Sequence, residues 1–161
     1  MKSPGFFLLV ALVVLGAGCR SNDDEIRRIV REEIANATMQ RTIIKPVNVI
    51  GPYSPAVKIG RFLFVSGQIA LDSTGMLKNE SIEVETRQVL NNLNYILQSA
   101  GYDSSHAVSA TVYLKNMNDY QKMNLIYGGY FQEGNYHARV AVEVANLPRQ
   151  ANVEIALIAY K

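Results

Sequence analysis

From Ser81 to Ala100 the apolar residues recur every three or four positions, through Ile82, Thr86, Val89, Leu90, Leu93, Ile96, Leu97 and Ala100. That spacing gathers them on one side of an α-helix. Ser81 suits the start of the helix as a cap, Glu83 and Glu85 suit the positive end of its dipole, and Gly101 suits its stop. A helix with a single apolar stripe must bury that stripe against another layer, and the flanking segments supply one.

In those segments the period changes from 3.6 to two. Upstream, Thr42 to Ile50 is β-rich but broken by Pro46, and Val57 to Ala70 forms two strand pieces around Gly60. In the second piece Leu63, Val65 and Ile69 share one face, with Phe62, Phe64, Ser66 and Gln68 on the other. Asp72 to Gly75 is a turn. Downstream, Val108, Ala110, Val112 and Leu114 alternate with Ser109, Thr111, Tyr113 and Lys115. Asn118 to about Phe131 is expected to be a second helix, with Tyr120, Met123, Tyr127, Tyr130 and Phe131 on its apolar side. Gly128 and Gly129 weaken it by ~1 kcal/mol each relative to alanine. Val140, Val142 and Val144 alternate with Arg139, Ala141 and Glu143, and after a turn near Leu147-Pro148 the last strand is Val153 to Tyr160. The order predicts an α+β fold, a single mixed sheet with two helices on one face. The final strand is apolar on both sides, so another subunit is expected to cover the face without helices.

Two charges interrupt these apolar runs, Arg139 and Glu154. A buried guanidinium or carboxyl group is costly unless it is paired or used. A structural ion pair is one reading, and a site that takes an anion is the other. The glycine-punctuated run Gly51-Pro-Tyr-Ser-Pro-Ala-Val-Lys-Ile-Gly60, followed by Phe62 to Gln68, has the character of a pocket lip. His106 and His137 stand apart from any cysteine or carboxylate cluster, which argues against a metal site, and both read as surface or loop residues. Sixteen basic and fourteen acidic residues leave the chain near neutrality, without a basic patch that would direct it to nucleic acid.

The first residues follow a different logic. A short basic start, the apolar run Phe6 to Leu15 and the small residues Gly16-Ala-Gly18 make a signal-peptide pattern over residues 1–18. The run is shorter than the ~20 residues of a membrane-spanning helix. Cys19, the only cysteine, follows at once. It resembles the modified cysteine of a bacterial lipoprotein box, although Gly16 replaces the usual leucine. Ordinary cleavage that leaves a free thiol is the other reading. Lipidation of Cys19 would hold an exported chain on a membrane surface, in the cell envelope or periplasm. Residues 19–41 then hold the anchor site and a charged helix, with Ile26, Ile29, Val30 and Ile34 along one narrow stripe. That helix is expected to act as a tether or as a short self-associating seam. The globular domain is expected over residues 42–161.

Within that domain Gly51-Pro-Tyr-Ser54, Ser66-Gly-Gln68, Asn91-Asn-Leu93, Asn124-Leu-Ile-Tyr127, Ala138-Arg139, Glu143 to Pro148 and Glu154 occur in order. The set resembles the RidA/YjgF family of enamine/imine deaminases. The resemblance implies a chorismate-mutase-like fold, a homotrimer with sites between subunits, and hydrolysis of small 2-imino acids to 2-keto acids and ammonia. It gives Arg139 the substrate carboxylate and Glu154 the attacking water and the returning proton. Tyr53 would close over the ligand, while Ser66 and Asn124 line the pocket with the Gly67 backbone nearby. It implies no metal and no cofactor, and as partner a small carboxylate-bearing imine or related acid. Three positions depart from the family pattern: Pro55 follows Gly-Pro-Tyr-Ser where glutamine is usual, His137 stands for the proline of Pro-Ala-Arg, and Ala141 stands where a cysteine is frequent. The departures and the exported address leave a second reading open, a non-catalytic trimeric small-ligand-binding or scaffold lipoprotein of the envelope.

Overall fold

The computed structural model describes residues 20–47, 49–131 and 133–161. The expected signal peptide and Cys19 lie outside these residues. Helix α1, Arg20–Thr38, carries the predicted charged segment. On it Arg28 bridges Glu25 at 2.7 Å and Glu32 at 3.2 Å, one turn away on either side. Helix α1 belongs, up to Ala37, to a unit separate from Thr38–Lys161. No helix among the described residues is long and apolar enough to cross a membrane.

The second unit contains strands β1 (Arg41–Ile44), β2 (Ala56–Ile59), β3 (Phe62–Gln68), β4 (Ala107–Leu114), β5 (Ala138–Glu143) and β6 (Val153–Tyr160). Helix α2 spans Ile82–Ser99 and α3 spans Tyr120–Tyr130. Each forms close to where the periodicity places it. The sheet order is β1-β2-β3-β6-β4-β5. Only β4 and β5 are parallel neighbours, joined across α3; the other pairs are antiparallel, so the sheet is mixed. Gly60 sits at φ 56° in the turn between β2 and β3, a conformation that glycine adopts without the usual Cβ penalty.

Capping of α2 follows the sequence: the Ser81 hydroxyl accepts the Val84 N–H at 3.3 Å, and Gly101 turns the chain at φ 80°. The stripe from Ile82 to Leu97 is buried, together with Met123 and Tyr127 of α3 and Phe131 just after it, against Leu63, Val65, Ala110, Val112, Ile155 and Leu157 of the sheet. Two residues depart from expectation. Glu85 is expected only to suit the helix dipole, yet it is fully buried and bonded across the fold. Its carboxyl group accepts Asn152 N–H at 2.6 Å, Asn152 Nδ2 at 2.9 Å and Val153 N–H at 3.4 Å, and so anchors the start of β6. Val108 was grouped with the buried face of β4, but a register shift between Ala107 and Ser109 turns it outward. An extra residue in one strand breaks the two-residue alternation locally.

The face of the sheet away from α2 and α3 is apolar and open in this single chain. Phe62, Phe64, Val140, Val142 and Tyr160 are each more than one-third exposed there. On β5 the alternation is inverted relative to a simple buried strand: Arg139 and Ala141 point to the helix side, and the valines point away from it. This follows from register, because Arg139 pairs with buried Ala110 and Val142 pairs with Tyr113.

Candidate active site

Arg139 stands at the edge strand β5 under α3. Its Nη2 donates to Asn124 Oδ1 at 2.6 Å and to the Tyr120 hydroxyl at 3.4 Å. Its guanidinium lies over the Tyr127 ring, 4.5 Å from the centroid. These contacts orient the group while leaving its Nε and Nη1 donors for an anion. Asn124, expected to line the pocket, therefore acts first as the partner that aims Arg139. Tyr120 and Tyr127 were read from the sequence as helix packing, and they also frame this guanidinium. Their one-turn spacing with Asn124 on α3 is a signal that the sequence does carry.

His137 lies in the loop before β5, as expected, but it is not a surface residue there. It is half-buried, its Nε2 lies 2.5 Å from the Tyr127 hydroxyl, and its ring packs edge-on to Phe131 at 4.5 Å. Burial, and then the nearby Arg139 charge, push its pKa down. Its position two residues before Arg139 on an extended segment puts both on one side of the strand. Burial raises the pKa of Tyr127 as well, which keeps the phenol protonated. His106, by contrast, caps a local turn beside Asp103.

Glu154 lies elsewhere. It pairs with Tyr113 on β4, whereas Arg139 pairs with Ala110. Two strand spacings and three residues along the strand separate their Cα atoms by roughly 14 Å. The side chains also leave opposite faces of the sheet: Arg139 shares the face of buried Ala110 and Leu157, Glu154 the face of Ile158 and Val142. Within one chain they do not meet, and neither joins a salt bridge among the described residues. The structural ion-pair reading therefore does not describe this chain. Glu154 is half-buried, and desolvation raises its pKa.

A bulge in β3 shapes the surroundings of Glu154. Between Val65 and Gln68 the register against β6 slips, with Ser66 and Gly67 in the slip. A Cβ at Gly67 would overlap the Glu154 carboxyl group. The glycine was expected to let backbone approach a ligand; its first effect is to make room for this carboxylate. Gly67→Ala is expected to fold with little loss of stability, because the tip of Glu154 can swing aside. Displacement by an ångström or more costs about 100-fold in turnover. Turnover and thermal melting measured together check this, and a mutant with full activity would show that the Glu154 position is not critical.

Ser66 Oγ donates to the Ser54 carbonyl at 2.7 Å, and Ser66 N–H to the Pro55 carbonyl at 3.0 Å. Ser66 therefore staples the lip that carries Tyr53. Tyr53 and Gly67 both line a cleft of about 670 Å³, with Val47, Ile50 and Tyr95 among its apolar walls. Asn92 Nδ2 donates to the Ile69 and Leu71 carbonyls and holds the cleft floor to α2. The chain thus presents two half-sites: Arg139 with Asn124, Tyr120, Tyr127 and His137, and Glu154 against Gly67, the glycine that also lines the cleft of Tyr53. Among the described residues no group of three or more potential metal ligands occurs.

Comparison with known proteins agrees with this geometry. The Endoribonuclease L-PSP family model matches residues 43–161. A RutC family protein of Pyrococcus horikoshii is 52% identical over 113 residues, covering 70% of this chain and 89% of that protein. Mouse 2-iminobutanoate/2-iminopropanoate deaminase is 48% identical over 111 residues, covering 68% and 82%. The crystal structure of Escherichia coli TdcF with bound serine superposes with a TM-score of 0.71 at 31% identity, covering 74% of this chain and 98% of that one. The chain belongs to the Endoribonuclease L-PSP family, which includes the RutC and RidA/YjgF proteins that its motifs resemble.

Proposed function

We propose that this protein is an imine deaminase that hydrolyses small 2-imino acids to 2-keto acids and ammonia, with each active site shared between two copies of the chain. The observation that carries the proposal is the placement of an unpaired Arg139 and an unpaired, pKa-raised Glu154 on opposite sheet faces. The apolar open face supplies the surface on which copies associate, and a homotrimer is the closed assembly the family resemblance implies. Relatives named 2-iminobutanoate/2-iminopropanoate deaminase in mouse and human support the reaction, and the serine bound by TdcF supports a small carboxylate-bearing ligand.

In this reading Arg139 of one copy holds the substrate carboxylate by charge-assisted hydrogen bonds. Glu154 of a neighbouring copy accepts a proton from water as the water oxygen bonds to C2. The C=N π pair moves to nitrogen, which takes a proton from solvent, and a carbinolamine results. Protonated Glu154 then delivers its proton to the amine nitrogen, the C–N bond breaks, and ammonia leaves as the hydroxyl proton passes to solvent and C=O forms, with Glu154 ionised again. Tyr53 covers the site from the lip. The imine carbon is already electrophilic, so placement of water and substrate carries most of the effect.

The test is release of 2-keto acid and ammonia from freshly generated 2-iminobutanoate by the chain from residue 20 onward. Glu154→Gln is expected to lower turnover by about 1,000-fold while binding of 2-oxobutanoate persists. In the wild type, activity should fall on the acid side at a pH above the ordinary carboxylate range, because the base must be ionised. Stability should move the other way. The folded chain holds the Glu154 proton more tightly than the unfolded one, so stability drops as pH rises from the ordinary carboxylate value through the raised one. Glu154→Gln removes that loss and should melt higher than wild type at neutral pH, with the difference closing at acid pH. Binding without any wild-type turnover would favour instead the non-catalytic small-ligand or scaffold reading.

The address belongs to the same proposal. A signal segment at 1–18, a lipid on Cys19 and the charged helix that follows would set the enzyme on a membrane surface of the cell envelope. Mass spectrometry of the N-terminal peptide from cells tests it, with an unmodified Cys19 or an intact Met1 as the contrary result.

A further inference from the structure

His137 is bound into the Arg139 half-site in a way that its loop position does not require. Tyr127 stands in the last turn of α3 and Phe131 directly follows the helix, with ring centroids 4.8 Å apart. His137 closes the set from the strand side, 2.5 Å from the Tyr127 hydroxyl and 4.5 Å from the Phe131 centroid. The three rings make a triangle, and the face of Tyr127 carries the Arg139 guanidinium. Nothing else among the described residues bonds the Tyr127 hydroxyl. Its bond to His137 is thus what stops the ring from sliding along its own axis and taking the plane of the guanidinium with it.

We propose that His137 is a positioning residue: its neutral imidazole latches Tyr127, and through that ring it sets the plane in which Arg139 offers its donors to a small carboxylate. The inference rests on the anion-holding role of Arg139 proposed above. The latch needs the neutral ring, which accepts the Tyr127 O–H at Nε2. Protonation makes both ring nitrogens donors. The bond then has to reverse, with Nε2–H donating to the phenol oxygen and the Tyr127 proton left without an acceptor, while Nδ1 is buried without a partner among the described residues in either state. The titratable or charged groups on the surrounding elements are Tyr127 and Tyr130 of α3, Glu133 and Tyr136 of the preceding loop, and Arg139 of β5. Of these, the Arg139 charge opposes protonation, in addition to burial. A second positive charge near the site would by itself tighten anion binding, whereas an opened latch loosens it. The two effects have opposite signs, so a measurement separates them.

The experiment is calorimetric binding of 2-oxobutanoate at pH 5 to 8, with turnover of 2-iminobutanoate alongside, for wild type, His137→Phe, His137→Gln and Tyr127→Phe. At pH 7.5 His137→Phe is expected to bind about fivefold more weakly, the worth of one hydrogen bond, and to show the loss in KM rather than kcat. Tyr127→Phe should match it. His137→Gln keeps an acceptor for the phenol at every pH, so it should bind like wild type at pH 7.5 and keep its advantage over His137→Phe on acidification, where wild type loses it. Comparing variants at each pH cancels the titration of Glu154. The advantage of wild type over His137→Phe should shrink on acidification as the imidazole takes up its proton, below the ordinary histidine range. An advantage that is absent at pH 7.5, or that stays constant or grows on acidification, overturns the latch. The same binding data hold if wild type hydrolyses no imine, so failure of the deaminase reading is visible separately. Should wild type bind no carboxylate at all, both fall.

Discussion

An equimolar mixture of Arg139→Ala and Glu154→Gln chains, unfolded and refolded together, is expected to regain about a quarter of wild-type deaminase activity, because a random half of the chains at each position keeps the needed residue and the two halves multiply. Each variant alone should retain no more than about 1% of wild-type activity, one through loss of the carboxylate anchor and the other through loss of the base. The reason lies in the sheet. Arg139 on the edge strand and Glu154 opposite Tyr113 leave opposite faces, so a single chain cannot close on one substrate with both. A mixed oligomer rebuilds an intact site wherever a chain with Arg139 meets a chain with Glu154. No recovery above the sum of the separate variants would show that the two residues do not cooperate across a subunit boundary, and the shared site would be abandoned. Two groups within one chain give that null result at any mixing ratio.

The second large effect is on stability. Glu85→Leu is expected to cost about 3 to 4 kcal/mol, because three buried N–H groups at the head of β6 lose their acceptor together. Against a typical domain stability of about 5–15 kcal/mol, that is a large share. The acceptor is fully buried, and a leucine in its place offers the Asn152 and Val153 donors no hydrogen-bond partner. Glu85→Gln keeps the shape and one acceptor oxygen, but turns an amide NH2 toward one of the donors, so an intermediate loss is expected. Urea unfolding gives both values. A loss below about 1 kcal/mol for the leucine variant would mean that β6 finds other partners easily. Turnover should fall in step, since Glu154 follows Val153 directly and depends on where β6 starts.

Most of the architecture was legible because burial imposes a period. The stripe of α2, its Ser81 cap and its Gly101 stop are local features, and a local pattern is enough to specify them. Strand positions followed for the same reason. The misreadings occur where one residue breaks a period. Val108 was assigned inward by alternation, and a one-residue register shift reverses it. Glu85 reads only as a dipole partner, and its three donors, from a segment 67 residues away, leave no local mark. His137 is a loop residue, as expected, but its half-burial is not legible because its partners, Tyr127 and Phe131, stand in and just after α3.

The sequence by itself determined the element order, the family, and the identity of the two charged residues that stand out of apolar runs. All three depend on spacing along the chain, which a sequence carries in full. Tertiary structure alone decided which face each charge takes. That follows from strand register, bulges and sheet order, and these are set by pairings between distant segments whose energies no local pattern contains. It is why Arg139 and Glu154 read as neighbours in chemistry, yet stand roughly 14 Å apart on two sides of one sheet.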